Sequence, residues 1–351
     1  MNSNIYNKNM FLTNHPGPWQ VYLNRSDNKG LSLMEVKNKY MQEQLLFENY
    51  MSFQMQQQML MSQQSSGGGP LPSIISTPTV DPDAQAFITA AAITDTTQQS
   101  AINTLVVGLK TDSIWTKMRA LYPIVGGTAS QHKFNLKNPV DSDAAFRLTF
   151  FGGMTHSSNG VLPSGTNNYA NTYFVPSTQI TNADSFHYSI YSRTDLGGST
   201  FSYDIGATTI LGTDPESYTD QYIHNFLIDA FGSTTVRSGT YGATANFADD
   251  NSLGLYVGNR NSIGKVTGYK NGILKNTGTT AASGLVYFAP MLLMNMANYY
   301  PDVDPSSWST DFSYGKRQLA FATLGDGLTD TDNSNLYTRI QAFQTTLGRQ
   351  V

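Results

Sequence analysis

Carboxylates, histidines and glycine-rich turns are the residues from which this chain could build chemistry. A retaining glycosidase needs two carboxylates flanking the scissile bond, commonly as Glu-x-Asp-x-x-Glu along one strand. The chain has four glutamates, Glu35, Glu43, Glu48 and Glu216. Only Glu216 falls in a β-patterned region, within the turn-like Asp214-Pro215-Glu216, and no predicted strand carries a Glu/Asp pair at that spacing. There is no Gly-x-Ser-x-Gly elbow, and Gly264-Lys265 and Gly315-Lys316 lack the Ser or Thr that completes a phosphate loop. His132, His156, His187 and His224 lie far apart without metal-ligand spacing and read as ordinary polar sheet or loop residues. Asp249-Asp250 and Asp302-Val303-Asp304 could offer oxygens to calcium, but neither brings the further Glu or Asn ligands of a recognisable loop. The expectation is a chain with no catalytic residues, no metal and no cofactor.

Binding chemistry is better represented. Tyr299, Tyr300 and Trp308 cluster in one long connection. Aromatic rings beside amides and carboxylates suit stacking on sugar rings, and equally suit a plug or a subunit contact. Both readings stand at this point.

Composition narrows the setting. Aromatic residues make up 12% and charged residues 13%, against roughly a quarter charged in an average soluble protein. A surface of Thr, Ser, Asn, Gly and Tyr suits β-rich extracellular or virion modules. The net charge of −4 gives no reason to propose nucleic acid. With no cysteine there is no disulfide and no thiolate chemistry. No run approaches the ~18 apolar residues of a membrane span. The first residues carry no charged-then-apolar leader; release by cell lysis as part of a particle would make one unnecessary.

The elements that must position these residues divide the chain into four parts. Residues 1–66 form an N-terminal extension with a long Met/Gln-rich helix. Ser32-Leu33-Met34-Glu35 is a capping-box pattern, and no Gly or Pro follows until after Gln64. Met34, Met41, Leu45, Met51, Met55 and Met59 fall at helical spacings and define a docking or oligomerisation helix. Residues 67–80 are a Gly/Pro linker. Residues 81–130 read as short helices packed on a larger body: one capped by Asp81 with Pro82 at its first position, one with Ile102, Leu105, Val106 and Leu109 on its apolar face, and a third over 114–121 capped by Asp112.

From 131 to 351 the period changes to two. Strands are predicted over 145–151, 186–193, 201–205, 222–228, 253–259, 266–269, 285–288 and 317–323. Lys270-Asn271-Gly272-Ile273 carries the Asn-Gly of a type I′ hairpin. A closing helix comes last, capped near Thr329-Asp330-Thr331-Asp332, with Leu336, Ile340, Phe343 and Leu347 on one face and Gly348 beyond it. The pattern is mainly β, a two-sheet sandwich preceded by α-helical N-terminal segments.

Residues 266–274, VTGYKNGIL, are similar to the strand–turn–strand hairpin of concanavalin A-like (laminin-G-like) jelly rolls. Residues 316–342 look like the last core strand of that fold and the helical segment after it. Residues 84–170 and 325–351 resemble a module of phage structural and fibre-like proteins, notably of Bacteroidetes hosts, through AFITAAAITD, WTKMRALYPIVGG, HKFNLKNP, DAAFRLTFFGGMTHSSNG, GDGLTDTDNSNLYT and FQTTLGR. The resemblance implies a virion protein: a head fibre, decoration or tail-associated appendage, usually a homo-oligomer, held to capsid, portal or tail by its N-terminal helix. The alternative is a carbohydrate-binding adsorption module for host surface glycans.

Overall fold

Alternation of apolar and polar residues requires a strand to bury one face, and most of this chain does so in two facing sheets. The computed structural model describes residues 80–351 other than 183, 197–201, 210–220, 227–232, 241–243, 280–287, 301–306 and 312, and the single residue Val36. The chain divides into two units, Met1–Thr77 and Pro78–Val351, and the sandwich lies in the second. Met34, Met41, Leu45, Met51, Met55 and Met59 lie outside the described residues, as do most of the strand predicted at 285–288 and the pair Asp302 and Asp304.

The helices are α1 (Pro82–Ala90), α2 (Thr96–Thr111), α3 (Ala129–His132), α4 (Pro176–Gln179) and α5 (Asp330–Thr346). The strands are β1 (Met118–Tyr122), β2 (Thr149–Phe151), β3 (Met154–Ser157), β4 (Gly160–Pro163), β5 (Tyr169–Asn171) and β6 (Phe186–Ser192). They continue with β7 (Ile205–Thr209), β8 (Gln221–Phe226), β9 (Ser233–Thr240), β10 (Thr244–Ala248), β11 (Gly254–Arg260) and β12 (Lys265–Lys270). The last are β13 (Ile273–Thr279), β14 (Leu292–Leu293), β15 (Met296–Tyr299), β16 (Trp308–Thr310) and β17 (Leu319–Gly325). Sheet A runs β13-β12-β11-β6-β17-β4-β3, with β1 also on β17. Sheet B runs β10-β9-β8-β7-β14-β5-β2, with β15 on β7 and β16 on β15. The result is a mainly β jelly-roll sandwich.

Phe186, Tyr188, Ile190, Tyr256 and Leu324 of sheet A meet Ile205, Ala207, Val236 and Leu293 of sheet B in the core between the sheets. A second core lies on the other face of sheet A. There Tyr191, Leu255, Val257 and Phe321 meet Phe87 of α1, Leu105 of α2 and Leu336, Ile340 and Phe343 of α5. Strand β6 is therefore buried at every position, although its alternation reads as half solvated.

The caps and the hairpin form as their residue types require. Asp81 accepts from the Asp83 N–H, and Thr329 and Asp332 make a reciprocal capping box. Asn271 and Gly272 have φ of 50° and 75°, the two left-handed positions of a type I′ turn. The helix predicted over 114–121 is instead one 3₁₀ turn, Trp115–Lys117, leading into β1. Asp112 ends α2, and its carboxylate takes a two-bond fork from Arg339 of α5, so it does not cap a following helix. Met118, Ala120 and Tyr122 alternate with exposed Arg119 as strand residues beside β17. The sandwich therefore begins before residue 131.

Polar side chains on the helix-covered face of β6 are buried because they satisfy one another. The His187 Nδ1–H donates to the Asp326 carbonyl at 2.6 Å, since a carbonyl can only accept. The His187 Nε2 then accepts from the Thr323 hydroxyl at 3.0 Å, and Thr323 accepts from Ser189 at 2.5 Å. Burial pushes His187 down to about 4. His132 sits on α3 with its Nδ1 2.9 Å from the Nδ1 of His156 on β3. Burial first, then the neighbouring His156 and Arg349, push His132 down to about 3.

The C-terminal segment is fixed by Arg349, 1% exposed. Its Nε donates to Gln344 at 2.6 Å. Nη1 donates to the carbonyls of Ile124 at 2.8 Å and Ser158 at 3.1 Å, and Nη2 to those of Pro123 at 2.7 Å and Ala320 at 3.1 Å. All five donors of the fork are used.

His187 and His132 are neutral when folded and bind protons when unfolded below the ordinary value of about 6.5, so stability is full above that pH and declines as pH falls toward the folded values. Each contributes a slope of ~1.4 kcal/mol per pH unit in that window. Denaturant titrations at pH 7 and pH 5 should show the loss, and His187→Gln should remove the His187 share of it; an unchanged slope would refute the assignment. Arg349→Met should cost on the order of 3 kcal/mol or more by leaving buried carbonyls unpaired, read as a lowered denaturation midpoint.

Candidate functional site

Two adjacent phenylalanines on one strand cannot both face the core, because successive side chains alternate. In β2, Phe150 sits opposite Ala170 of β5 and packs on the inner core. Phe151 sits opposite Tyr169; Phe151 is exposed, and half-buried Tyr169 also packs against the inner core. The two rings stack at 4.6 Å and 15°. The edge of Trp308 meets Tyr169 at 6.1 Å and 82°. Trp308 is the cross-strand partner of Tyr299 in the β15–β16 hairpin, and Tyr299 meets Phe288 at 5.7 Å. Tyr300 is next in the chain, 37% exposed, with Phe151 at 39% and Phe288 at 49%. Phe151, Tyr169, Trp308, Tyr299 and Phe288 form one aromatic strip gathered from separate segments of the chain, and Tyr300 follows it in sequence.

Its frame is hydrogen-bonded. Strand β15 pairs parallel with β7. Beyond β16, the Asp311 carboxylate accepts from the Ser313 N–H at 2.8 Å, and the Asp311 carbonyl accepts from Asn295 at 3.2 Å. Polar atoms border the rings: Tyr173 donates its hydroxyl to Thr149 at 3.0 Å, and Thr310 lies 3.5 Å from the Tyr314 hydroxyl. Burial, then the nearby Tyr173 and Tyr314, raise the Tyr169 phenol above its ordinary value, so it stays a neutral donor. The strip offers ring surfaces with hydroxyls beside them, which is the chemistry of a sugar ring's C–H face and hydroxyl rim.

Of the residues singled out in the sequence, Tyr299 and Trp308 are brought together and Tyr300 adjoins them. Phe151, Tyr169 and Phe288 join them without any signal near 299–308 in the chain. The Phe150-Phe151 doublet is the one local signal for the first of them. His132 and His156, far apart in sequence, meet edge to edge, and His156 also touches the Phe150 ring at 4.6 Å. Among the described residues no group of three or more metal-ligating side chains is assembled. Asp249, considered for calcium, is taken up by the Lys270 ammonium at 2.5 Å and the Tyr256 hydroxyl at 2.6 Å. No helix among the described residues is long and apolar enough to cross a membrane.

No protein-family model matches the chain, and no curated protein is significantly similar to it. Among solved structures it is similar to domain 4 of AbnA, an extracellular arabinanase of Geobacillus stearothermophilus in complex with arabinotriose, at 14% identity and TM-score 0.41, covering 63% of this chain and 98% of that one. It is also similar to Trypanosoma rangeli sialidase, at 9% identity and TM-score 0.40, covering 68% of this chain and 39% of the other. A third is the botulinum neurotoxin serotype D binding domain, at 10% identity and TM-score 0.36, covering 64% and 52%. The chain thus spans about two-fifths and half of the last two. These likenesses are distant, and the site rests on this chain's own residues.

If the strip is a surface and not part of the core, Phe151→Ser and Phe288→Ser should each cost less than about 1 kcal/mol. Phe174→Ala, in the core at 0% exposed, should cost about 3–5 kcal/mol. Thermal denaturation of the three variants separates the cases, and equal losses would make the strip a structural plug.

Proposed function

We propose that the sandwich is a non-catalytic recognition module that holds a glycan against the aromatic strip. The observation that carries this is the convergence of Phe151, Tyr169, Phe288, Tyr299 and Trp308, with Phe151 and Phe288 each more than a third exposed. A folded protein keeps such rings at its surface against the hydrophobic effect, and a partner that covers them recovers that cost.

Binding without catalysis is supported by where the acids are. The chain has four glutamates, and only Glu216 falls in a β-patterned region. Asp112, Asp204, Asp249 and Asp332 are each held by a basic side chain, and Asp95 caps a helix. The setting that the sequence resemblance supports is a virion, with residues 1–66 as the attaching segment and 67–80 as the tether to a displayed module.

The test is a glycan array probed with the full chain, followed by titration of the best binder. Trp308→Ala and Tyr169→Ala should each weaken binding at least tenfold while leaving the fold intact by circular dichroism. Binding that survives both substitutions would remove the strip as the site.

A further inference from the structure

From the charge distribution around the strip we infer that its ligand is an uncharged glycan, and that acidic sugars are excluded. This rests on the glycan reading above. Residues 148–183 contain no Asp, Glu, Lys or Arg, and they supply Thr149, Phe151, Tyr169 and Tyr173. Residues 288–301 contain none either, and they supply Phe288, Tyr299 and Tyr300. Between 302 and 315 the charged residues are Asp302, Asp304 and Asp311. Lys316 comes next, exposed, with its methylenes against Gly165 in the turn before Tyr169. The segment that carries Trp308 therefore has an excess of negative charge.

A carboxylate, sulfate or phosphate drawn onto this surface would lose water, and among the described residues of 148–183 and 288–316 the one Lys or Arg is Lys316, a point charge without bidentate geometry. Asp311, three residues past Trp308, would also repel it. A sugar hydroxyl meets no such penalty, because the Tyr173, Thr149, Thr310 and Tyr314 hydroxyls can both donate and accept. Discrimination thus comes from what the site withholds as much as from what it offers.

The full chain is titrated against matched polymers, dextran with carboxymethyl-dextran and a neutral galactan with its sulfated form, together with polysialic acid, at 50 mM and 500 mM NaCl. The expected result is binding of a neutral member, an affinity that changes less than twofold with salt, and at least tenfold weaker binding of the acidic forms. Thr166→Lys places a cation on the turn whose backbone packs against Gly152, next to Phe151. It should raise affinity for the acidic partner of the bound pair at least threefold at low salt and leave the neutral affinity unchanged. Acidic polymers bound as well as neutral ones, or a tenfold salt dependence, would overturn the inference and leave the glycan reading standing. Absence of binding to these polymers and to the wider array would overturn the glycan reading itself.

Discussion

The structure depends on a buried cation that meets no carboxylate among the described residues. Arg349 is surrounded by four main-chain carbonyls and one side-chain amide. Taking a guanidinium out of water is tolerated only where every donor is met. Those carbonyls come from the end of β1, the β3–β4 turn and β17, so one side chain ties three parts of sheet A to the C-terminal segment. It also holds Ile124, a β-branched residue in the left-handed region with φ of 44°, a conformation kept only where neighbours over-determine it. With that segment fixed, α5 can lie across sheet A, and α2 is clamped to it by the Asp112–Arg339 fork.

That arrangement separates the two faces of the molecule. Helices cover sheet A so completely that its central strand is buried on both sides. The Phe151–Tyr169 pair stands on sheet B, whose strands take no part in the helix-covered core. The helices contribute nothing to the strip directly. They make sheet A a rigid backing, and sheet B is then free to present short strands whose ends carry aromatic residues.

Local chemistry makes part of this legible. The Asn271-Gly272 turn, the Asp81 and Thr329 caps, and the buried face of Ile102, Leu105, Val106 and Leu109 all follow from residues within a few positions of one another. Strand β1 reads as a helix because Met118, Leu121 and Tyr122 also satisfy a helical spacing; what makes it a strand is β17, two hundred residues away. His187 reads as an ordinary polar sheet residue because its partners, Thr323 and Asp326, are distant in the chain. The strip is visible in the sequence only at Tyr299 and Trp308, which are close together. Its other members arrive through pairings that no window along the chain contains.

Strand β17 lies between β6 and β4, yet it is the last strand in chain order. During synthesis β6 and β4 therefore emerge long before the strand that joins them. Each waits with an open edge, and open edges invite pairing with other chains. Sheet A can close only after most of the domain has left the ribosome, so folding is late, dominated by distant contacts and slow. A cell making this protein in quantity has to keep those waiting edges apart until β17 arrives.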